Sequence, residues 1–387
     1  KRFLFPRDRW EEARQPELAV IGRLPIAIDC FAGAGGLSLG LSQAGFAVRA
    51  AFDNSPMAVA TYRENFGNHI FQCNAEDIKG EDLLHIAECK PGDCSLVAGG
   101  PPCQGFSRQR RGKVEDARND LVFEFQRLVR EIQPELFLME NVATLLGRKR
   151  DSVLDRFTFA AERDGYCVYT AVLDAADFGV PQRRKRAFIV GERLDRAPTF
   201  QFPTPTHAPD EWATVRGAIG DLPSPLLDPT RAAGFPNHRA DNISEVNRLR
   251  ISYVPQGGGR EYIPEDLRLP CHRVSVETAG HRQVFGRLHW DEPAATITTK
   301  CNSFTRGKFA HPAEDRNISM REAARLQSFP DDFEFVGGTV PVAHQIGNAV
   351  PPLLAFRLGE ALFDSLRKRG AGEHSEFARQ LALPVPA

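Results

Sequence analysis

The sequence has no apolar run long enough to cross a bilayer, so no membrane-spanning helix is expected. Its first residues, KRFLFPRDRW, lack the apolar stretch of a secretory leader, and a cytoplasmic location is expected from that. None of the eight cysteines forms a CxxC pair and no His pair has zinc-finger spacing, which argues against a zinc module. Without a leader the cysteines read as reduced thiols, most of them small core residues. The chain is also short of lysine, with nine. Its 49 Lys+Arg against 50 Asp+Glu leave a net charge of −1, so there is no global basic signature of a nucleic-acid binder. Basic residues gather locally instead, at Arg108 to Lys113, Arg148 to Arg150 and Arg183 to Arg186. Such clusters are most often solvated faces, and charge alone decides nothing.

What is present is an ordinary globular composition, 42% hydrophobic and 26% charged, in 387 residues. That length has room for a catalytic domain and a second module. From Leu24 to about Glu192, short apolar runs alternate with longer amphipathic ones. This is the rhythm of a parallel sheet wrapped by helices, and it predicts a doubly wound, Rossmann-like α/β domain. Strands are predicted at Ile26 to Phe31, Val48 to Asp53, Ser95 to Ala98, Glu135 to Met139, Val168 to Leu173 and Ala187 to Gly191, with helices such as Pro56 to Asn65 and Leu121 to Ile132 between them.

After Glu192 the rhythm breaks. Pro recurs at 198, 203, 205, 208, 223, 225, 229 and 236, and Gln256 to Gly259 reads as a glycine-rich loop. A helix is predicted to restart at Ser319, which has capping-box spacing to Glu322, and a final helix to run from Pro352 to about Leu366. The expected division is 1–192 for the main catalytic part, 193–338 for a smaller, loop-rich, mainly β module, and 339–387 for a segment returning to the first.

Four stretches carry chemistry. The first predicted strand runs into DCFAGAGGLSLG, whose Gly33, Gly35 and Gly36 stand at a turn into a helix, where a cofactor can approach the backbone. Asp53, at the end of the next strand, is placed to accept from ribose hydroxyls. This geometry serves any adenosine cofactor, NAD included, although the dinucleotide fingerprint prefers Gly or Ala where Ser38 stands; a glycine turn is also often purely structural. VAGGPPCQGFS places Cys103 after a short strand, with Pro101 and Pro102 fixing the backbone, and the polar, basic run that follows suits a closing loop over phosphates. A lone cysteine is usually core filler, so the context carries the argument. ELFLMENV ends an apolar strand on Glu140 and Asn141, and VPQRRKRAFIVG places Arg184 and Arg186 in alternation on one face of a starting strand.

Together, DCFAGAGG, GGPPCQGFS, MENV, QRRKR, REAARLQSFPD and QIGNAVPP, in this order, resemble the bacterial-type DNA (cytosine-5) methyltransferase family over Asp29 to Leu354. The resemblance implies S-adenosylmethionine as cofactor, no metal, and methyl transfer to carbon 5 of a cytosine flipped out of double-stranded DNA. It assigns Cys103 as nucleophile, Glu140 to the ring nitrogen beside the exocyclic amine, and Arg184 and Arg186 to positioning the base and the catalytic groups. Cofactor contacts fall on Phe31, Ala34, Gly36, Asp53, Asn54, Asp77, Ile78, Pro101, Leu121, Asn348, Ala349 and Val350. Two positions depart from the pattern, because Asn54 and Pro101 stand where the family commonly has aromatic rings. The small module would choose the sequence, Arg260, Arg268, His272 and Arg273 being its first readers, and Gln104 to Arg118 would close around the base. A monomer is expected, with a restriction endonuclease as a functional partner. The rival reading within the family, a tRNA-directed enzyme, typically carries a Cys-Phe-Thr stretch that is absent here.

Overall fold

The strand signals between Ile26 and Arg193 assemble into one seven-stranded sheet. The computed structural model describes residues 24–102, 120–147, 152–269 and 283–371. In chain order the sheet and its helices are β1 (Ile26–Cys30), α1 (Gly36–Gln43), β2 (Ala47–Asp53), α2 (Pro56–Phe66), β3 (Ile70–Gln72), α3 (Gly80–Ala87), β4 (Leu96–Gly99), α4 (Asp120–Ile132), β5 (Leu136–Val142), α5 (Val153–Arg163), β6 (Tyr166–Asp174) and β7 (Lys185–Arg193). The strand order is β3-β2-β1-β4-β5-β7-β6; the first five are parallel, and β7 runs antiparallel to both β5 and β6.

Alternation along each strand sends side chains to opposite faces of the sheet. Ile28, Phe52, Val97, Phe137, Met139 and Ile189 share one buried cluster with residues of α3, α4 and α5. Ala27, Leu96, Ala98, Leu138, Phe188 and Val190 belong to another, with residues of α1 and of a long C-terminal helix, Pro352–Ala371. That helix crosses α1 closely because the facing residues are small. A Cβ on Gly40 would come within 2.4 Å of the Ala355 methyl. Its far end is pinned by Arg369, wholly buried against Glu192, which is also wholly buried.

Several boundaries differ from the sequence reading. Phe31 leaves β1, its φ of 57° turning the chain into the glycine loop. β3, with three residues, is too short to show a period. Between Arg193 and Gly338 the described residues hold only short elements, among them α6 (Val215–Ile219), α7 (Pro229–Ala232), α8 (Glu245–Ser252), β8 (Gly286–Arg287), β9 (Lys308–Ala310) and α9 (Met320–Leu326). The mainly β content expected there is corrected: the described part has more helix than strand. Its order comes from an apolar cluster that includes Ile251, Phe285, Phe304 and Phe309, and from buried ion pairs such as Arg316 Nη2 with Glu322 Oε1 at 2.8 Å. The capping box at Ser319 and Glu322 is present. α10 (Thr339–Asn348) was not anticipated, and α11 (Pro352–Ala371) runs five residues beyond the predicted end. Among the described residues no helix is long and apolar enough to cross a membrane.

Candidate active site

The sheet reverses direction of build between β1 and β4, and at such a switch point the loops after the strands part to leave a crevice. The loop after β1, the end of β2, the loop after β4 and the end of β5 all meet that edge. Because β7 is antiparallel, its beginning arrives there too, with Arg186 opposite Val142. Strand direction therefore brings residues from five separate motifs to one place.

The glycine turn is held by Asp53. One carboxylate oxygen accepts from the Gly33 amide at 2.9 Å and the other from the Ser55 amide at 2.8 Å. Burial raises the Asp53 pKa, while those two bonds oppose the rise. Gly33 has a φ of 56°, and a Cβ there would meet nothing within 4 Å, so the turn faces open space. Gly36 is needed for a different reason: a Cβ would stand 2.5 Å from the Val350 carbonyl oxygen. The C-terminal segment thus seats on the first turn. Ala34 is buried, and Phe31 packs its ring 5.1 Å from that of Phe52. Asn54 and Asp77 are exposed beside it, joined through Asn74, which reaches Asp77 at 3.0 Å; Ile78 is buried next to them. Leu121 is partly buried against the core, and Asn348 is exposed at the end of α10, followed by Ala349.

Ser38, the residue that departs from the dinucleotide pattern, donates at 2.6 Å to the buried Asp29 and lies 3.0 Å from the Tyr62 hydroxyl. Burial lifts Asp29 to about 7, with Asp53 adding to the rise and the Ser38 bond opposing it.

At the neighbouring strands, Arg186 Nε stands 3.0 Å from Glu140 Oε1, their side chains 17% and 12% exposed. A Cβ on Gly100 would fall 3.2 Å from Glu140 Oε2, so glycine there lets the carboxylate lie over the backbone that leads into Cys103. Asn141 donates at 3.1 Å to the Pro101 carbonyl and fixes the same backbone. Cys103 itself, with Gln104 to Arg118, lies outside the described residues.

Arg184 does not share the position of Arg186. It precedes β7, is 1% exposed, and donates to the carbonyls of Ile297 and Gly347, both at 2.9 Å. Burial, followed by the nearby Arg186, pulls its pKa well down, with Glu140 opposing. Sequence reasoning missed the residues that hold it. Asp174 accepts from the Arg184 amide at 2.9 Å. Gln182 accepts from the Ile297 amide and donates to Gln327, both at 2.7 Å, and Gln327 donates at 2.6 Å to the Ile346 carbonyl. The available signal was the glutamine in each of QRRKR and RLQ. Of the expected sequence readers, Arg260 is buried and Arg268 donates to Ile263 and Glu261 within its own loop. His272 and Arg273 lie outside the described residues.

An open glycine turn with a carboxylate beneath it, next to a carboxylate–guanidinium pair, on a doubly wound sheet, is the arrangement of an enzyme that binds an adenosine-type cofactor. The family model of C-5 cytosine-specific DNA methylases matches residues 26–364. The Type II methyltransferase M1.HphI of Haemophilus parahaemolyticus is 40% identical over 87% of this chain and 86% of its own length. The Type II methylase M.HgiDII of Herpetosiphon aurantiacus is 35% identical over 90% and 96%. A solved structure, a candidate DNA modification methyltransferase encoded within an E. coli prophage, superposes with a TM-score of 0.70 at 25% identity, covering 88% of this chain and 99% of that one.

The chain belongs to the C-5 cytosine-specific DNA methylase family. It is a DNA (cytosine-5) methyltransferase and depends on S-adenosylmethionine; the family match supports DNA over tRNA as substrate.

Proposed function

We propose that this chain methylates a cytosine flipped out of double-stranded DNA, with Cys103 as nucleophile, Glu140 as proton donor and Arg186 as the residue that orients Glu140. The observation that carries the assignment is the 3.0 Å Arg186–Glu140 pair beside Gly100 and Pro101, two residues before Cys103.

The chemistry requires these groups. Carbon 5 of cytosine is a poor nucleophile until the Cys103 thiolate adds to carbon 6 and the ring double bond between carbons 5 and 6 is consumed. Glu140 gives a proton to the ring nitrogen as negative charge builds there, which leaves an electron-rich carbon 5. S-adenosylmethionine, when bound, supplies an electrophilic methyl group on a sulfonium. After carbon 5 has taken the methyl, its proton passes to a base, the carbon–sulfur bond breaks, the double bond re-forms and Glu140 recovers its proton. Arg186 keeps the Glu140 carboxyl aimed at the ring throughout, and Arg184 acts from behind as a positioning residue.

The residues present fit the cofactor. Gly33 leaves open space, Asp53 keeps lone pairs beyond the two amide bonds for ribose hydroxyls, and Phe31, Ala34, Gly36, Asn54, Asp77, Ile78, Pro101, Leu121, Asn348, Ala349 and Val350 would surround it. Residues 193–338 would recognise the DNA sequence, and 339–387 would complete the catalytic part. The Type II relatives support a companion restriction endonuclease. The enzyme would act as a monomer in the cytoplasm, on DNA.

Duplex DNA carrying 5-fluorocytosine tests the mechanism, because fluorine blocks the last proton loss. The unmodified chain is expected to form a stable covalent complex and Cys103→Ser none. Glu140→Gln, which cannot deliver a proton, is expected to lower kcat by roughly 10²- to 10⁴-fold while leaving cofactor binding unchanged. A covalent complex with the serine variant would overturn the role given to Cys103.

A further inference from the structure

The geometry points to a polar cleft at the start of α10 as a base-reading surface for the DNA flanking the target cytosine, with Asn242 and Asn302 as its readers and Lys300 as an adjoining phosphate contact. This rests on the DNA-methylating reading above and adds to it the residues that choose the sequence.

The cleft has a volume of about 430 Å³ and is lined by three stretches, around Asp241 to Asn247, Asn302 to Thr305, and Thr339 and Val340, together with Asn317. No Lys or Arg is among its lining residues, and Asp241 gives it negative charge. A phosphate cradle would have the opposite sign. Amides and carboxylates are instead the groups that read base edges: Asn pairs with the adenine edge through two hydrogen bonds, and Asp accepts from the cytosine amine.

The amides are held ready by a rigid frame. The Phe304 ring is buried against Phe285, its amide donates at 2.7 Å to the buried Asn317, and Ser303 and Thr305 bond each other at 2.7 Å. Thr339 donates at 2.8 Å to Asp241 across the cleft. Asn65, Asn141 and Asn237, by contrast, each hold a backbone carbonyl. Asn242 and Asn302 have no hydrogen-bond partner among the described residues, and both reach solvent.

α10 connects the cleft to the cofactor end. Val340, His344 and Asn348 follow one another at spacings of four, which places them on one face, and all three are exposed. Lys300 Nζ lies 3.5 Å from His344 Nε2, midway along that face. From Thr339 to Asn348 the helix rises about 14 Å, roughly four base-pair steps at 3.4 Å each. A strand leaving the catalytic crevice along this face would pass Lys300 and bring bases within about four steps of the target to the cleft.

Bisulfite sequencing of DNA from a methylation-free host expressing the chain gives the recognised sequence. Asn302→Ser and Asn242→Ser are expected to keep methylating but to relax preference roughly tenfold at one flanking position each. Asn302→Asp, of nearly the same shape, exchanges the amide donor for a second acceptor and is expected to shift that preference from adenine towards cytosine. Lys300→Ala is expected to weaken binding to every duplex alike and to flatten its salt dependence. If the Asn302 and Asn242 variants melt as the parent does and keep its site preference, the cleft does not read bases and the inference fails. If the parent modifies no DNA, it is the reading of the reaction that fails, and the inference with it.

Discussion

Arg184 Nη2 donates at 2.9 Å to the carbonyl oxygen of Gly347, 163 positions later in the chain, and the same guanidinium reaches the Ile297 carbonyl through Nη1. One side chain therefore joins the start of β7, the chain between β8 and β9, and the end of α10. Gly347 permits the contact, since a Cβ there would stand 2.2 Å from the Thr298 carbonyl carbon. Catalytic strand, insert and cofactor-side helix meet through these carbonyls, and the fork of a guanidinium can hold two of them at once.

Arg184→Lys is the corresponding test. An ammonium cannot span both carbonyls in the same geometry, so at least one charge-assisted bond is lost, at about 1.5–3 kcal/mol. Chemical denaturation should show that loss. Turnover should fall with it, because Arg184 immediately precedes β7 and stands two residues from Arg186 on the same chain. Unchanged stability would remove the connecting role.

Asp53 has two tasks, closing the glycine turn and offering lone pairs to the ribose. Asp53→Ala is expected to weaken S-adenosylmethionine binding by about 1.5–3 kcal/mol, the range for a hydrogen bond to a charged group. Asp53→Asn retains one acceptor and should lose less. Calorimetric titration measures both, and equal affinity in all three proteins would displace the cofactor from this turn.

Asp29 gives the protein a pH dependence of definite sign. Its pKa rises from 3.8 to about 7 in the fold, chiefly through burial, so the native state binds the proton more tightly than the unfolded chain. The contribution is fully favourable below the unfolded value, declines as pH climbs between the two, and is lost above about 7. Asp29→Asn keeps an acceptor for Ser38 and has no proton to lose. Its stability should be flatter than the parent's between pH 4 and 7, and it should be the more stable protein at pH 8. Parallel stability curves for the two proteins would contradict this.

Much of the catalytic half was legible along the chain. Short apolar runs such as IAI and LFLM predict buried strands, and the glycines of DCFAGAGG announce a turn open to a ligand. β3 was lost because three residues carry no period. α10 was lost because Pro341 falls in its first turn, where proline is tolerated but reads as a breaker. In the insert, recurrent prolines correctly signalled short elements, but of the arginines near its glycine-rich loop expected to meet DNA, Arg260 is buried and Arg268 donates to carbonyls of its own loop.

The sequence by itself determined which chemistry the chain carries, because a thiol, a carboxylate and two guanidiniums in fixed motifs are local facts written in consecutive residues. Only the tertiary structure decided what each does. Arg184 and Arg186 are equivalent in the sequence, two steps apart in one motif. The antiparallel return of β7 brings Arg186 to Glu140 at the end of β5, while carbonyls from Ile297 and Gly347 close over Arg184. Burying a guanidinium is tolerable only where such acceptors converge, and that convergence depends on residues more than a hundred positions away.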